Sequence, residues 1–246
     1  MIQTAREHLC RRAAPSRARR SATPPAGLAL GPRLAGHRLF RNADAAIIER
    51  CEGFFESETL RRGTDLFAQD DHVEHVYVVL AGYARLSYLL SDGREMSVAL
   101  VGPGEFVGEE ALVGAERRPF SATVVERCTV FRARGDKLGA LFRADAALAM
   151  NLAGHMSKRC EEMSGALEDI AQGKVRDRLL RALRRIAAQC GERSGVGQRI
   201  GVKLTHHEIA TFVGSTRETV TLELAALMRA GAIMRGPGSF TVLSST

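Results

Sequence analysis

The stretch from Lys203 to Arg229, KLTHHEIATFVGSTRETVTLELAALMR, constrains this chain more than any other. Thr205, followed three residues later by Glu208, has the form of a capping box. In that motif the Thr hydroxyl and the Glu carboxylate each satisfy a backbone N–H at the start of a helix. Ile209, Phe212 and Val213 then give the helix an apolar face. Gly214 falls where the backbone must turn sharply, a place that favours a residue free to take positive φ. Ser215 with Glu218 offers a second capping box and opens a second helix. There Val220, Leu224 and Leu227 share one buried face, and Arg217, Glu218, Thr221, Leu222 and Ala225 occupy the other. Two capped helices around a glycine turn, the second with a polar outer face, form the helix-turn-helix pattern. Its second helix is the one that enters the DNA major groove. An ordinary helical hairpin needs neither the glycine nor an exposed Arg-Glu pair.

Charge points the same way. The net charge of +7 is unevenly spread over the 246 residues. Residues 1–42 hold nine Arg against one Glu, residues 43–172 hold 14 basic against 22 acidic side chains, and residues 173–246 hold 12 against five. A basic C-terminal third beside an acidic middle suits a polyanion partner at the C-terminal end. A length of 246 residues predicts two domains. No apolar run approaches 18 residues, which excludes a membrane-spanning helix and predicts a cytoplasmic protein. The five cysteines, at 10, 51, 128, 160 and 190, form no C-x-x-C and fit a reducing compartment. Cys51, Cys128 and Cys160 fall in apolar or helical patterns and are expected to be small core residues.

Residues 1–38 are rich in Arg, Ala, Pro and Gly without apolar periodicity and read as a disordered basic tail. Order is expected from Leu39, with a short helix over 43–51 capped by Asn42 or Asp44. From Glu58 to Arg132 the texture is of short strands: 59–60, 76–80, 84–90, 96–101, 122–125 and 129–131. Turn signals such as Ser91, Asp92, Gly93 separate them. This predicts an antiparallel jelly roll able to hold a ligand. A short helix follows over 136–142. Asp145 then caps a long helix to about Gln172, with Leu148, Leu152, Met156, Cys160, Met163, Leu167 and Ile170 as one apolar seam near coiled-coil spacing. Such a seam suits a partner helix, the chain's own roll, or both. Gly173 is a candidate hinge. Residues 175–190 read as a basic amphipathic helix, 191–197 as a loop, 200–204 as a strand, and 232–235 with 239–243 as a hairpin, the wing. The expected fold class is therefore α+β. The domains are 39–143 for the roll, 144–172 for the dimerisation helix, and 173–246 for the winged helix-turn-helix.

This order of parts resembles the cyclic-AMP receptor / fumarate-nitrate regulator (Crp/Fnr) family of bacterial transcription factors, over roughly residues 39–244. The motifs that carry the resemblance are the run from Pro103 to Glu109 (PGEFVGE), Phe120-Ser121-Ala122, and the run from Val213 to Val220 (VGSTRETV). It implies a homodimer that binds a palindromic double-stranded DNA site, works with RNA polymerase and is no enzyme. An effector in the roll would rest against the long helix and reorient the DNA-binding domains. The resemblance implies that Arg217 reads guanine and Glu218 cytosine, and Ser215 and Thr216 are placed at the helix N-terminus for phosphate contact. Helix position places Thr221 and Leu222 on the same face. Leu222 stands where the family usually has a second arginine. It cannot hydrogen-bond guanine, although it could touch a thymine methyl, so an altered half-site is expected.

For the effector, Gly108, Glu109, Ser121, Arg159 and Ser164 match the cyclic-AMP branch. Phe120 replaces its phosphate arginine, and Met163 replaces a polar residue near the base. A buried phosphate without a bidentate arginine is poorly compensated. The candidate effectors are then a cyclic nucleotide or a small carboxylate resembling 2-oxoglutarate, whose sensing branch also has a Phe near this point. A constitutive, effector-independent regulator is the alternative. Cys10 and Cys51 do not form an iron–sulfur cluster, and His72 with His75 read as surface residues rather than metal ligands. The His-x-His cluster of a cupin-like enzyme is missing. No metal, cofactor or catalytic residue is assigned.

Overall fold

The computed structural model describes residue 34 and residues 36–171, 173–236 and 238–244. After a 3-10 turn over Arg38–Phe40, α1 (Ala45–Glu52) is capped by Asp44, whose carboxylate accepts from the Ala46 N–H at 2.7 Å. Eight strands follow: β1 (Phe55–Leu60), β2 (Asp65–Phe67), β3 (His75–Ala81), β4 (Ala84–Leu89), β5 (Glu95–Val101), β6 (Phe106–Val107), β7 (Ser121–Val124) and β8 (Cys128–Arg134). All their pairings are antiparallel. They make two four-stranded sheets, β1-β8-β3-β6 and β2-β7-β4-β5. Strand alternation explains the two layers of core. Tyr77 and Val79 of β3 face the interior with Phe67, Leu86, Val98 and Val124. Val76 and Val78 face outward and are covered by Phe40, Phe106, Leu138, Phe142 and Leu148. The sequence underestimates β1, which begins at Phe55, and misses β2 and β6, which are too short to carry a period.

The helices α2 (Gly135–Ala144) and α3 (Ala146–Ala171) follow the roll. The Asp145 carboxylate accepts from the Leu148 N–H at 2.8 Å and opens α3. The single apolar seam expected on α3 divides. Leu148 and Leu152 are buried against the roll, and Met163 packs on its interior core. Met156 and Leu167 are exposed, as is Cys160, which is therefore no core residue. The exposed positions Met150, Ser157, Cys160, Ser164 and Leu167 recur at close to heptad spacing on a separate stripe. Leu34 and His37, which fall in the expected tail, are buried at 1% and 7% exposure against the roll. Residues 1–33 and residue 35 of that tail lie outside the described residues.

Beyond Gly173, which takes a φ of +83°, come α4 (Val175–Cys190), β9 (Gly191–Ser194), β10 (Gly197–Ile200), α5 (His206–Val213), α6 (Arg217–Arg229), β11 (Ile233–Gly236) and β12 (Ser239–Leu243). The expected loop over 191–197 is instead a hairpin. Its residues Glu192, Arg193 and Ser194 are exposed, so they carry no apolar alternation to betray a strand. β10 joins the wing through β12, giving the sheet β11-β12-β10-β9. The C-terminal core gathers Leu179, Leu183, Ile186, Ile209, Phe212, Val220, Leu224 and Leu227, and it also takes in Leu100 and Val125 of the roll. The roll and the C-terminal part thus share one core.

Candidate nucleic-acid interface and effector pocket

The helix pair forms as its residues dictate. The Thr205 hydroxyl accepts from the Glu208 N–H at 3.1 Å, and the Glu208 carboxylate accepts from the Thr205 N–H at 2.7 Å. Gly214 ends α5 in the left-handed region at φ 59°. The second capping box is corrected by one residue. Thr216, rather than Ser215, caps α6, accepting from the Thr219 N–H at 3.2 Å. Glu218 takes no part in that cap. Val220, Leu224 and Leu227 are buried, while Thr216, Arg217, Glu218, Thr221 and Leu222 are exposed and Ser215 is half-buried. Leu222 is 71% exposed. Among the described residues, neither Arg217 nor Glu218 makes an ion pair. Beside α6 a cleft of about 440 Å³ is lined by Lys203, Thr205, His206, Arg235, Ser239 and, from the roll, Arg62. The roll's contribution was invisible in the sequence, because it depends on how the domains dock.

That docking is polar as well as apolar. The Arg62 guanidinium donates to both carboxylate oxygens of Glu208, at 2.6 and 2.5 Å, and to the carbonyls of Val125 and Lys203. Buried Arg85 donates to the Ser97 hydroxyl at 2.8 Å and pairs with Glu95 at 2.8 Å. The Thr211 hydroxyl of α5 donates to the Glu208 carbonyl, so the 2.5 Å contact between Ser97 and Thr211 is a donation from Ser97. Asp169 near the end of α3 pairs with Arg181 at 3.1 Å and Arg185 at 3.2 Å of α4, across the Gly173 joint.

The effector residues are brought together only in part. Gly108 sits in the left-handed region at φ 82°, and a Cβ there would lie 2.7 Å from an Arg118 nitrogen. Glu109 is buried and faces two residues of α3: Arg159 Nε at 3.2 Å and His155 Nε2 at 3.4 Å. Burial alone would raise the pKa of Glu109. The contact with His155 and the charge of Arg159 overcome it and hold the carboxyl at about 2. Arg159 also donates to Glu162 at 2.8 Å and to the Phe106 carbonyl at 3.0 Å. Phe120 is half-buried, edge-on to Tyr88 at 6.3 Å, and Met163 packs on the same interior core. The Ser121 hydroxyl accepts from the Gln69 N–H at 2.9 Å. Ser164 is exposed on the outer stripe of α3 and does not join Glu109 within one chain.

Sequence reasoning overlooked His155, and it placed Arg118 only as an arginine just upstream of Phe120. His155 lies one helical turn from Arg159, a spacing that could have flagged it. Arg118 is 2% exposed, pairs with Glu110 at 2.6 Å and stacks 4.1 Å above the Phe67 ring. His72 is exposed. Among the described residues no group of three or more His, Cys, Asp or Glu side chains could hold a metal, and no helix is long and apolar enough to cross a membrane.

An antiparallel roll joined by a long helix to a winged helix-turn-helix defines a class of DNA-binding transcriptional regulators. Residues 57–145 match the cyclic nucleotide-binding domain family, and residues 177–245 match the Crp-like helix-turn-helix domain. The chain is 30% identical over 209 residues to the cyclic AMP receptor protein of Thermus thermophilus, covering 85% of this chain and 94% of that protein. It is 33% identical over 170 residues to the transcriptional regulator SdrP of the same organism, covering 69% and 80%. A solved CRP-family transcriptional regulator from T. thermophilus superposes with a TM-score of 0.62 at 26% identity, covering 76% of this chain and 92% of that one. The chain belongs to the Crp/Fnr family of transcriptional regulators, whose matched members regulate transcription and are not enzymes.

Proposed function

We propose that the protein is a homodimeric, sequence-specific regulator of transcription, acting in the cytoplasm on palindromic DNA and working with RNA polymerase. The observation that carries this reading is the exposed, unpaired Arg217 and Glu218 on the outer face of a correctly capped α6. The Arg217 fork suits guanine O6 and N7, and Glu218 suits cytosine N4. Ser215 and Thr216 lie at the α6 N-terminus, where phosphate binds favourably. The outer stripe of α3, from Met150 through Ser157, Cys160 and Ser164 to Leu167, is the surface proposed for dimerisation. In this reading residues 39–143 sense, 144–172 dimerise, and 173–246 bind DNA. The test is selection of bound duplexes from random DNA, followed by Arg217→Ala on the selected site. Equal loss on selected and random DNA overturns the base-reading role.

The roll is proposed to sense a small effector at Gly108, Glu109, Phe120, Ser121, Arg159 and Met163, with Ser164 supplied across the dimer. Its engagement would reorient the winged domains through α3 and the Asp169 joint. A small anion, either carboxylate or cyclic nucleotide, would have to displace Glu109 from Arg159. The internal pairing of Glu109 favours a second reading, in which the protein is active without an effector. Thermal shift with cyclic nucleotides and 2-oxoglutarate separates the two. Stabilisation by either supports sensing, and none alongside tight DNA binding supports the constitutive regulator.

A further inference from the structure

Thr221 lies one turn into α6 on the exposed face. Its hydroxyl donates to the Arg217 carbonyl at 2.8 Å, which uses its single proton. His206 Nδ1, at the first position of α5, lies 2.8 Å from the same oxygen. Thr221 has no second proton to give, so the imidazole must be the donor, and this network assigns the tautomer with the proton on Nδ1. The His206 ring lies 6.4 Å from the Phe240 ring of the wing, tilted by 35°. Burial first, and then the charges of Arg235 and Arg217, hold the imidazole pKa below its usual value. His206 therefore joins three parts of the DNA-binding domain: α5, α6 and the wing.

Thr221 is exposed, and with its hydroxyl engaged on both sides the methyl is the group its side chain has left to offer a partner. The next residue, Leu222, is 71% exposed. Two apolar groups thus stand beside the polar pair Arg217 and Glu218 on one recognition face. The only apolar group that a base offers in the major groove is the C5 methyl of thymine. We propose that Thr221 and Leu222 read thymine methyl groups adjoining the base pair read by Arg217 and Glu218, and that His206 is the positioning residue that turns the Thr221 methyl outward. This rests on the DNA-binding reading above. It adds to that reading which base follows and which residue outside the recognition helix enforces the choice.

The experiment uses the full chain and a duplex selected from random DNA, with deoxyuridine replacing thymidine one position at a time, since deoxyuridine lacks only the C5 methyl. Binding is followed by fluorescence anisotropy. The expected loss is about fourfold at each contacted thymine, the worth of one buried methyl. Thr221→Val, which puts a methyl at both γ positions and so needs no positioning, should retain the loss and make it insensitive to His206→Ala. Thr221→Ser, which keeps the hydroxyl, should abolish it at one position, and Leu222→Ala should abolish it at another. His206→Ala should weaken the thymine preference at the Thr221 position and leave that at the Leu222 position intact. If deoxyuridine costs nothing anywhere while the selected site still outcompetes random DNA, thymine reading is overturned and the DNA-binding reading stands. If His206→Ala leaves both preferences unchanged, the positioning role is overturned. If the wild type cannot tell the selected site from random DNA, both readings fail.

Discussion

The outer face of α6 and the buried charge cluster between the roll and α3 are built from similar residues to opposite ends. On α6 an arginine and a glutamate stand side by side in solvent, with no ion pair among the described residues. Between the roll and α3, Glu109 and Arg159 are buried and satisfy each other, with His155 and Glu162 completing the set. A group that must meet a partner from outside is kept unpaired, so that binding sacrifices no internal contact. A group that pairs internally makes any incoming ligand compete with the protein itself. The structure therefore presents an open polar face on α6 and, between the roll and α3, a buried cluster whose charge is already balanced.

Breaking the internally balanced side should have the largest effect. Glu109→Ala leaves Arg159 buried with a reduced partner set and should destabilise the roll by about 3–5 kcal/mol in denaturant unfolding. A loss under 1 kcal/mol would show that the pocket is open to water and the comparison unsound. Titration probes the same pair. The carboxyl sits at about 2 in the folded chain against an ordinary 4.5, so its stabilisation is fully present above about pH 4.5. It is lost as pH falls toward 2, a change of about 3 kcal/mol across that window. Glu109→Gln should flatten that part of the acid-unfolding curve.

On the open side, Arg217→Ala should leave unfolding unchanged and cost about 1–3 kcal/mol of binding, on the selected site alone. An equal change in stability would mean that Arg217 is structural and the contrast false. Thr205→Ala removes one half of the capping box and should cost about 1 kcal/mol of stability, read as a lower unfolding midpoint. The smallest effect is expected from Arg62→Ala. The Arg62 side chain is 41% exposed, and an ion pair that open to solvent is worth about 0–1 kcal/mol.

The helix-turn-helix was legible because its signals are local: a cap, a glycine and a repeat of buried positions lie within 25 or so residues. Only the register of the second cap slipped, since Ser215 and Thr216 are both good caps and packing chose Thr216. The roll was legible as a class, through hairpin signals such as Ser91 to Gly93, whereas β2 and β6 are too short to show a pattern. The seam on α3 misled because two faces of one long helix are apolar. Sequence spacing alone could not separate Leu148 and Leu152, which face the roll, from Met150 and Leu167, which do not. The pairing of Glu109 with His155 and Arg159 depends on residues about 50 positions apart, so only the fold could reveal it. The same holds for Arg62 and Glu208, 146 positions apart.

Glu208 holds two posts at once, closing the start of α5 and gripping Arg62 of the roll. Because the cap lies wholly within the C-terminal part, α5 stays capped whether or not that part is docked on the roll. Among the contacts that hold the docking is a partly solvated ion pair, which mobile ions screen. Added salt also weakens the hold of basic side chains on DNA phosphates. Ionic strength therefore acts on this molecule in two places together, loosening the DNA-binding part from its own roll as it loosens that part from DNA.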